Sequence, residues 1–298
     1  MATRPVLVGV DGSEESLRAV EWAARQAKRH GSPLRIVSAP AMPPRMRAEV
    51  DPVTVANALR GMSAQALAAA LTRTEEVAPG LPVDTGLLSG SPAVALAAAG
   101  GDASMLVVGA RGIGGFTAMI LGSVSRYVAV HAACPVIVVR QETSAVHREI
   151  AVGIRETEDS TGALAFAFEE AALRDADLVA VHALPVFPSA LHVPGAGGGT
   201  LQTPSHEEVL AEAGSQLAGM LAGWRDKYPA VRVRHDVVHG HPARVLASYS
   251  ARADLVVLGR HGGPAPGSAG IGSVQHAVLN HAHGPVAIVP SDISRSDC

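Results

Sequence analysis

The chain has 298 residues, of which 48% are hydrophobic and 17% charged, with a formal net charge of −3. That length suits two domains of ordinary size, each able to bury its own core, and no apolar run approaches the roughly 20 residues that span a bilayer. The weak negative balance and the sparse aromatics (three Tyr, two Trp, four Phe) leave nucleic acid and anionic membranes without an electrostatic or stacking basis as partners.

Residues Met1 to Pro5 lack a signal-type apolar stretch, so a cytoplasmic location is expected. The two cysteines, Cys134 and Cys298, suit neither a disulfide framework nor a zinc site of several cysteines.

In chain order, apolar Val6–Val10 ends at Asp11-Gly-Ser13, and Ser13-Glu-Glu-Ser16 carries helix-start chemistry. The next helix places Leu17, Val20, Ala24 and Ala27 on one face. Leu34–Val37 reads as a second strand, Ala56–Leu71 as a second helix, Val83–Leu88 as a third strand and Pro92–Ala99 as a short helix. Leu106–Val108 is the fourth strand. It runs into Gly109-Ala-Arg-Gly112, nine residues, and Gly122-Ser123. A helix follows with Val124, Tyr127, Val128 and His131 expected inward, and Val136–Val139 closes the set.

The pattern then repeats. Val8-Gly9-Val10 corresponds to Val152-Gly153-Ile154, and Leu34–Ala39 to Leu178–Ala183, both offset by 144. Gly109 corresponds to Gly259, Gly112 to Gly262, Gly122 to Gly272 and Ser123 to Ser273, now offset by 150. The six extra residues are assigned to the Gly-rich loop within Pro185–Pro204. The second final helix is expected to turn Val274, Ala277, Val278 and His281 inward. The polar stretch Gln141–His147 separates domain one, residues 1–141, from domain two, residues 148–298.

Strands apolar throughout and alternating with helices imply an α/β class with a parallel sheet covered on both faces. The reading is two tandem doubly wound, Rossmann-like domains, each five-stranded in the order 3-2-1-4-5. In that order strands one and four adjoin at the switch point, which brings Asp11 beside Gly109. Strand five of each half is an apolar edge, and pairing the two edges would give a chain with pseudo-twofold symmetry.

A glycine loop between a buried strand and a helix start is a phosphate cradle in physical terms, because unpaired N–H groups and the helix dipole face the anion. A tight turn alone would not need Gly-Ser at the same distance in both copies. Ser123 reads as a helix N-cap, leaving the N–H groups of Val124 and Ser125 for an anion.

The Asp after strand one, the G-x2-G-x9-G-S loop and the Pro-led final strand (Pro135, Pro285) resemble a universal stress protein of the ATP-binding kind, over essentially the whole chain. The resemblance implies that Asp11 contacts ribose or a Mg²⁺ carried by ATP, that backbone near Ala39 meets adenine, and that Val10 belongs to the nucleotide-binding set. It implies that Val108, Gly109, Gly112, Gly122, Ser123, Val124 and Ser125 hold ribose and phosphates. The corresponding set in domain two is Ala183, Leu258, Gly259, Gly262, Gly272, Ser273, Val274 and Gln275. A homodimer, an unidentified regulatory protein partner and a role in stress survival and growth are likewise implied.

Domain two departs from the pattern at Arg155, which replaces Asp11, and at Gln275, which replaces Ser125. An arginine cannot ligate Mg²⁺. It can pair with a phosphate or fill the site, and Glu156, Glu158 and Asp159 lie near enough in sequence to offer another carboxylate. Weaker or altered binding at site two is expected. Arg111 and Arg260 are within reach of a phosphate or are solvated loop residues, and His261 lies in the second loop. His30, His131 and His235 show no partner, and His281 and His283 point to different helix faces.

Neither lysine, Lys28 or Lys227, completes a Walker loop, no kinase set can be assembled, and neither G-x-G-x-x-G nor G-x-S-x-G occurs at the required place. Three classes stay open: an ATP-binding regulator, a slow ATPase or phosphotransfer enzyme, and a nucleotide-free structural dimer.

Overall fold

The computed structural model describes residues 3–40, 51–113, 121–140, 146–155, 160–185, 205–260 and 271–291. The first half contains β1 (Val6–Val10), α1 (Glu14–His30), β2 (Leu34–Ser38), α2 (Pro52–Val77), β3 (Val83–Leu87), α3 (Pro92–Ala99), β4 (Met105–Gly109), α4 (Ser123–His131) and β5 (Val136–Val139). The second half contains β6 (Glu149–Gly153), α5 (Thr161–Arg174), β7 (Asp177–Leu184), α6 (His206–Lys227), β8 (Val233–His239), α7 (Pro242–Tyr249), β9 (Leu255–Arg260), α8 (Ser273–His281) and β10 (Val286–Pro290).

Among the described residues the strands form one ten-stranded sheet in the order β3-β2-β1-β4-β5-β10-β9-β6-β7-β8. Each half is therefore parallel in the order 3-2-1-4-5, as expected. The halves join through their fifth strands, which pair antiparallel with Ala287 opposite Ile137. The apolar edge is consumed inside the chain, and the sheet's outer edges are β3 and β8. Any homodimer must use a different surface.

Alternation along the strands builds two cores, one on each face of the sheet. Val6, Val8, Met105 and Val107 face α1 and α2, continuing in the second half against α5 and α6. Leu7, Leu106, Val136 and Val256 face the side of α3, α4, α7 and α8. All of these strand residues are at most 1% exposed, which is why the strands read as unbroken apolar runs.

Helix α1 starts where its sequence says: the Ser13 side chain accepts from the Ser16 N–H, Glu14 and Glu15 occupy the first turn, and Gly31 closes the helix left-handed at φ 60°. Two local expectations are corrected, and a third is not tested. Helix α2 extends past Ala56–Leu71 at both ends, starting on the N-cap Asp51. His131 and His281 are exposed, and the buried positions are Ser125, Val128 and Ala129 in α4, with Gln275, Val278 and Leu279 in α8. The stripe is turned because a polar side chain at 125 and 275 has a buried acceptor to reach. The Gly-rich loop assigned to the six extra residues lies outside the described residues, apart from Pro185.

Candidate functional site

The first cleft opens where β1 and β4 part. Their ladder runs from Val6 opposite Met105 to Val8 opposite Val107 and then stops, while both strands continue to Val10 and Gly109. The ends of these strands, with Asp11 following β1 and the glycine loop following β4, form the switch-point crevice.

Asp11 closes one wall of it. Oδ1 accepts from the Ser13 N–H at 3.0 Å and the Ser13 hydroxyl at 2.6 Å, and Oδ2 accepts from the Ile113 N–H at 2.8 Å. The strand-end acid and the glycine loop, 102 positions apart, are therefore directly bonded. A Cβ on Gly112 would overlap Asp11 Oδ2, so only glycine allows this approach. Asp11 itself is exposed.

Gly109 serves a different end. A Cβ there would lie 2.8 Å from the backbone carbon and oxygen of Glu15, so this glycine lets the first turn of α1 pack against β4. Its carbonyl accepts from the buried Ser125 hydroxyl at 2.7 Å. That bond ties the start of α4 to the end of β4.

The expected N-cap is corrected. Gly122 is the cap residue of α4, extended at φ −63°, ψ 152°, and Ser123 is the first helical residue, with no side-chain cap bond. The Gly122 N–H donates to Ala110 O at 2.8 Å, and Gly122 O receives the Arg126 N–H at 3.0 Å. The N–H groups of Ser123, Val124 and Ser125 precede the first intrahelical donor, and among the described residues no acceptor meets them. This is one more donor than Ser123 as cap would have left. Around this turn Val10 and Val108 are buried, Ala39 and Val124 are half-buried, and Ser123 is exposed.

The second cleft has the same plan with different chemistry. Arg155 stands where Asp11 stands, and its backbone N–H approaches the Ser160 hydroxyl at 3.5 Å as the Asp11 N–H approaches Ser16 at 3.4 Å. Its side chain is exposed. Gln275 donates from Nε2 to Gly259 O at 2.9 Å, replacing the short Ser125 hydroxyl with a longer arm. That arm comes so close to Gly272 that a Cβ there would overlap Gln275 Oε1.

Pairing also goes further in the second half. The β6–β9 ladder reaches Gly153 opposite Leu258, one pair past the first half's limit, and Ala183 lies inside β7 opposite Val238, whereas Ala39 follows the end of β2. Ser273 is exposed and Val274 half-buried, like Ser123 and Val124. Gly262, His261, Glu156, Glu158 and Asp159 lie outside the described residues.

Arg260 is neither a phosphate ligand by position nor a solvated loop residue: its guanidinium donates to Ala132 O, at the C-terminal cap of α4 in the other half. Arg111 is half-buried. His30, expected without a partner, is bonded to Glu170 at 2.9 Å. Among the described residues no group of three His, Cys, Asp or Glu side chains converges to hold a metal. No helix there is long and apolar enough to cross a membrane.

Comparison with known proteins agrees with the fold and with its duplication. The sequence pattern of the universal stress protein family matches residues 2–140 and again residues 147–290. A universal stress protein of Mycolicibacterium smegmatis is 35% identical over 297 residues, covering 95% of this chain and 96% of that protein. One from Mycobacterium tuberculosis is 35% identical over 294 residues, with coverage of 95% and 96%. The crystal structure of a universal stress protein from Archaeoglobus fulgidus shares the fold with a TM-score of 0.71 at 17% identity, covering 97% of both chains. The chain belongs to the universal stress protein family, as two such domains in tandem.

Proposed function

We propose that this protein binds an adenine nucleotide, ATP carried with Mg²⁺, in the first cleft, and that occupancy of the cleft governs its affinity for a regulatory partner during stress. The observation that carries this reading is the convergence at one crevice of three unpaired N–H groups, those of Ser123, Val124 and Ser125, with the carboxylate of Asp11. A helix start with free donors attracts phosphate through its N–H groups and dipole, and an acid nearby suits a ribose hydroxyl or a metal on the phosphates. In this reading Ser123–Ser125 hold the phosphates, Asp11 faces ribose or Mg²⁺, and Val10 and Ala39 border the base. ATP contributes a phosphate charge state that a partner can read, and the cytoplasm supplies it.

The second cleft binds more weakly or takes a different ligand. Arg155, the longer arm of Gln275, and the extra β6–β9 pair all support that difference.

The test is to denature freshly purified protein and quantify released adenine nucleotide by chromatography. One ATP per chain is expected. Two would overturn the asymmetry between the clefts. None, with no uptake of added Mg-ATP, would overturn nucleotide binding altogether and favour a protein that acts by contacts alone.

A further inference from the structure

We infer that the second domain positions the anion-binding turn of the first, with Asn280 as the positioning residue. Asn280 lies in the last turn of α8 and its Oδ1 accepts the N–H of Leu121 at 2.9 Å, across the junction between the halves. Leu121 immediately precedes Gly122, the cap of α4, and is buried. Its N–H cannot be left to water without opening the entry to the helix.

Asn280 is itself held in place. Its Nδ2 donates to His276 O at 2.9 Å, and its main-chain carbonyl accepts from the Arg140 guanidinium at the end of β5. The far end of α4 is gripped from the same side, since Arg260 donates to Ala132 O. The second domain thus holds the anion-binding helix of the first at its entrance and at its C-terminus.

The reverse arrangement is missing at the entrance. With the offset of 150, Leu121 corresponds to Ile271 and Asn280 to Val130, whose side chain has no acceptor. Arg140 reaches α8 only at its C-terminal carbonyls, Asn280 O and Ala282 O. The grip on the entrance is therefore one-directional among the described residues. It favours the same cleft that has the acid and the earlier ladder break.

This inference rests on the nucleotide reading for its functional consequence, and it is tested on the full-length protein by two separate measurements. The first is amide hydrogen exchange at Leu121, followed by NMR in wild type, Asn280→Val and Asn280→Asp. Valine already occupies the corresponding place in α4, so the fold accommodates it, and Asp keeps the acceptor. Exchange is expected to rise at least tenfold in Asn280→Val and to stay near wild type in Asn280→Asp, which a general loss of stability would not reproduce. Should Asn280→Val fail to fold, Asn280→Ala takes its place.

The second measurement is Mg-ATP affinity by calorimetry, expected to weaken about threefold to tenfold in Asn280→Val with an unchanged melting temperature. Wild-type exchange rates at Leu121 in that variant overturn the inference whether or not nucleotide binds. Raised exchange with unchanged affinity overturns the coupling to the site. A wild-type protein that takes up no nucleotide fails the functional reading instead, and the exchange data then decide the structural claim alone.

Discussion

Gln26 and Glu170 hold the same position in the two repeats, 144 residues apart, and their side chains meet across the junction of α1 with α5: Gln26 Nε2 lies 2.6 Å from both carboxylate oxygens of Glu170. Both residues are 0% exposed. The next helical turn repeats the relationship, since His30 and Arg174 are also equivalent and both bond Glu170, at 2.9 and 3.0 Å. Arg174 also donates to Gln26 Oε1 at 2.6 Å. A duplicated fold would place like on like here, and divergence at 26 and 170 has turned a self-facing position into a charge-assisted bond.

Replacing Glu170 should therefore be costly in a particular way. Glu170→Gln leaves Arg174 and His30 facing a neutral amide in a dry setting, at a cost of about 3 kcal/mol. Burial pushes the Glu170 carboxyl up, but the His30 hydrogen bond and the Arg174 charge outweigh it and hold the group below its usual 4.5. A depressed native value means the stabilisation is complete above the unfolded-state range and is lost as pH falls through the native value. Urea unfolding at pH 7 should separate wild type from Glu170→Gln by the full difference, and the gap should narrow below about pH 4.5. A gap that stays constant into acid would show that Glu170 contributes by shape alone.

Two glycines should respond in opposite directions to alanine. Gly109→Ala drives a Cβ to 2.8 Å from the Glu15 backbone, which cannot move without displacing the start of α1 from β4. Overpacking of this kind costs about 1–3 kcal/mol. Gly61 lies inside α2, where a Cβ would meet nothing within 4 Å, so Gly61→Ala should gain about 0.5–1 kcal/mol from helix propensity alone. Thermal unfolding of the two variants checks both signs at once. A stable Gly109→Ala protein would refute the close approach of α1 to β4.

The sheet was legible because its central strands are buried on both faces and so are apolar almost throughout, as in Val136–Val139. The joining of β5 to β10 was legible for the same reason, since an apolar edge needs a cover. The helices were less so. Among the inward positions of α2, Val55, Ser63, Ala66, Ala70 and Thr74 are buried, and the two hydroxyl residues hide the stripe from a hydrophobicity pattern. At 125 and 275 the buried residue is polar because a carbonyl of the glycine loop needs a donor, which turned the expected stripe toward His131 and His281. Gln26, Glu170 and Asn280 look like solvent-facing positions when read one helix at a time. The one available signal was the repeat offset, which makes 26 and 170 equivalent and so places them together at a pseudo-twofold contact.

Cys134 should be inert in the native protein. It is 6% exposed, and burial pushes its thiol up to about 11, against weaker opposing pulls from backbone hydrogen bonding and the Arg260 charge. At pH 8 only about one thiol in a thousand would then be ionised, and the thiolate is the reactive form. Iodoacetamide at pH 8 should leave the Cys134 peptide unmodified in native protein and modify it fully in urea, read by mass spectrometry. Rapid native labelling would mean that the junction below α4 opens readily.

The bond between Asp11 and Ile113 yields the sharpest test of the first cleft. Asp11→Ala removes the acceptor for the Ile113 N–H and for Ser13 together, so the glycine loop loses its tie to β1. Gly112→Ala leaves the carboxylate in place but drives a methyl into Asp11 Oδ2, breaking the same tie from the other side. Each single change is expected to weaken Mg-ATP binding about tenfold, near the 1.4 kcal/mol of one hydrogen bond to a charged group. Because both act on one contact, their effects should not add: the double variant should bind nearly as well as Gly112→Ala alone. Calorimetric titration of the four proteins measures the coupling directly. Losses that add in full would show that Asp11 and Gly112 contribute independently, so that the tie between β1 and the glycine loop plays no part in holding the carboxylate toward the nucleotide.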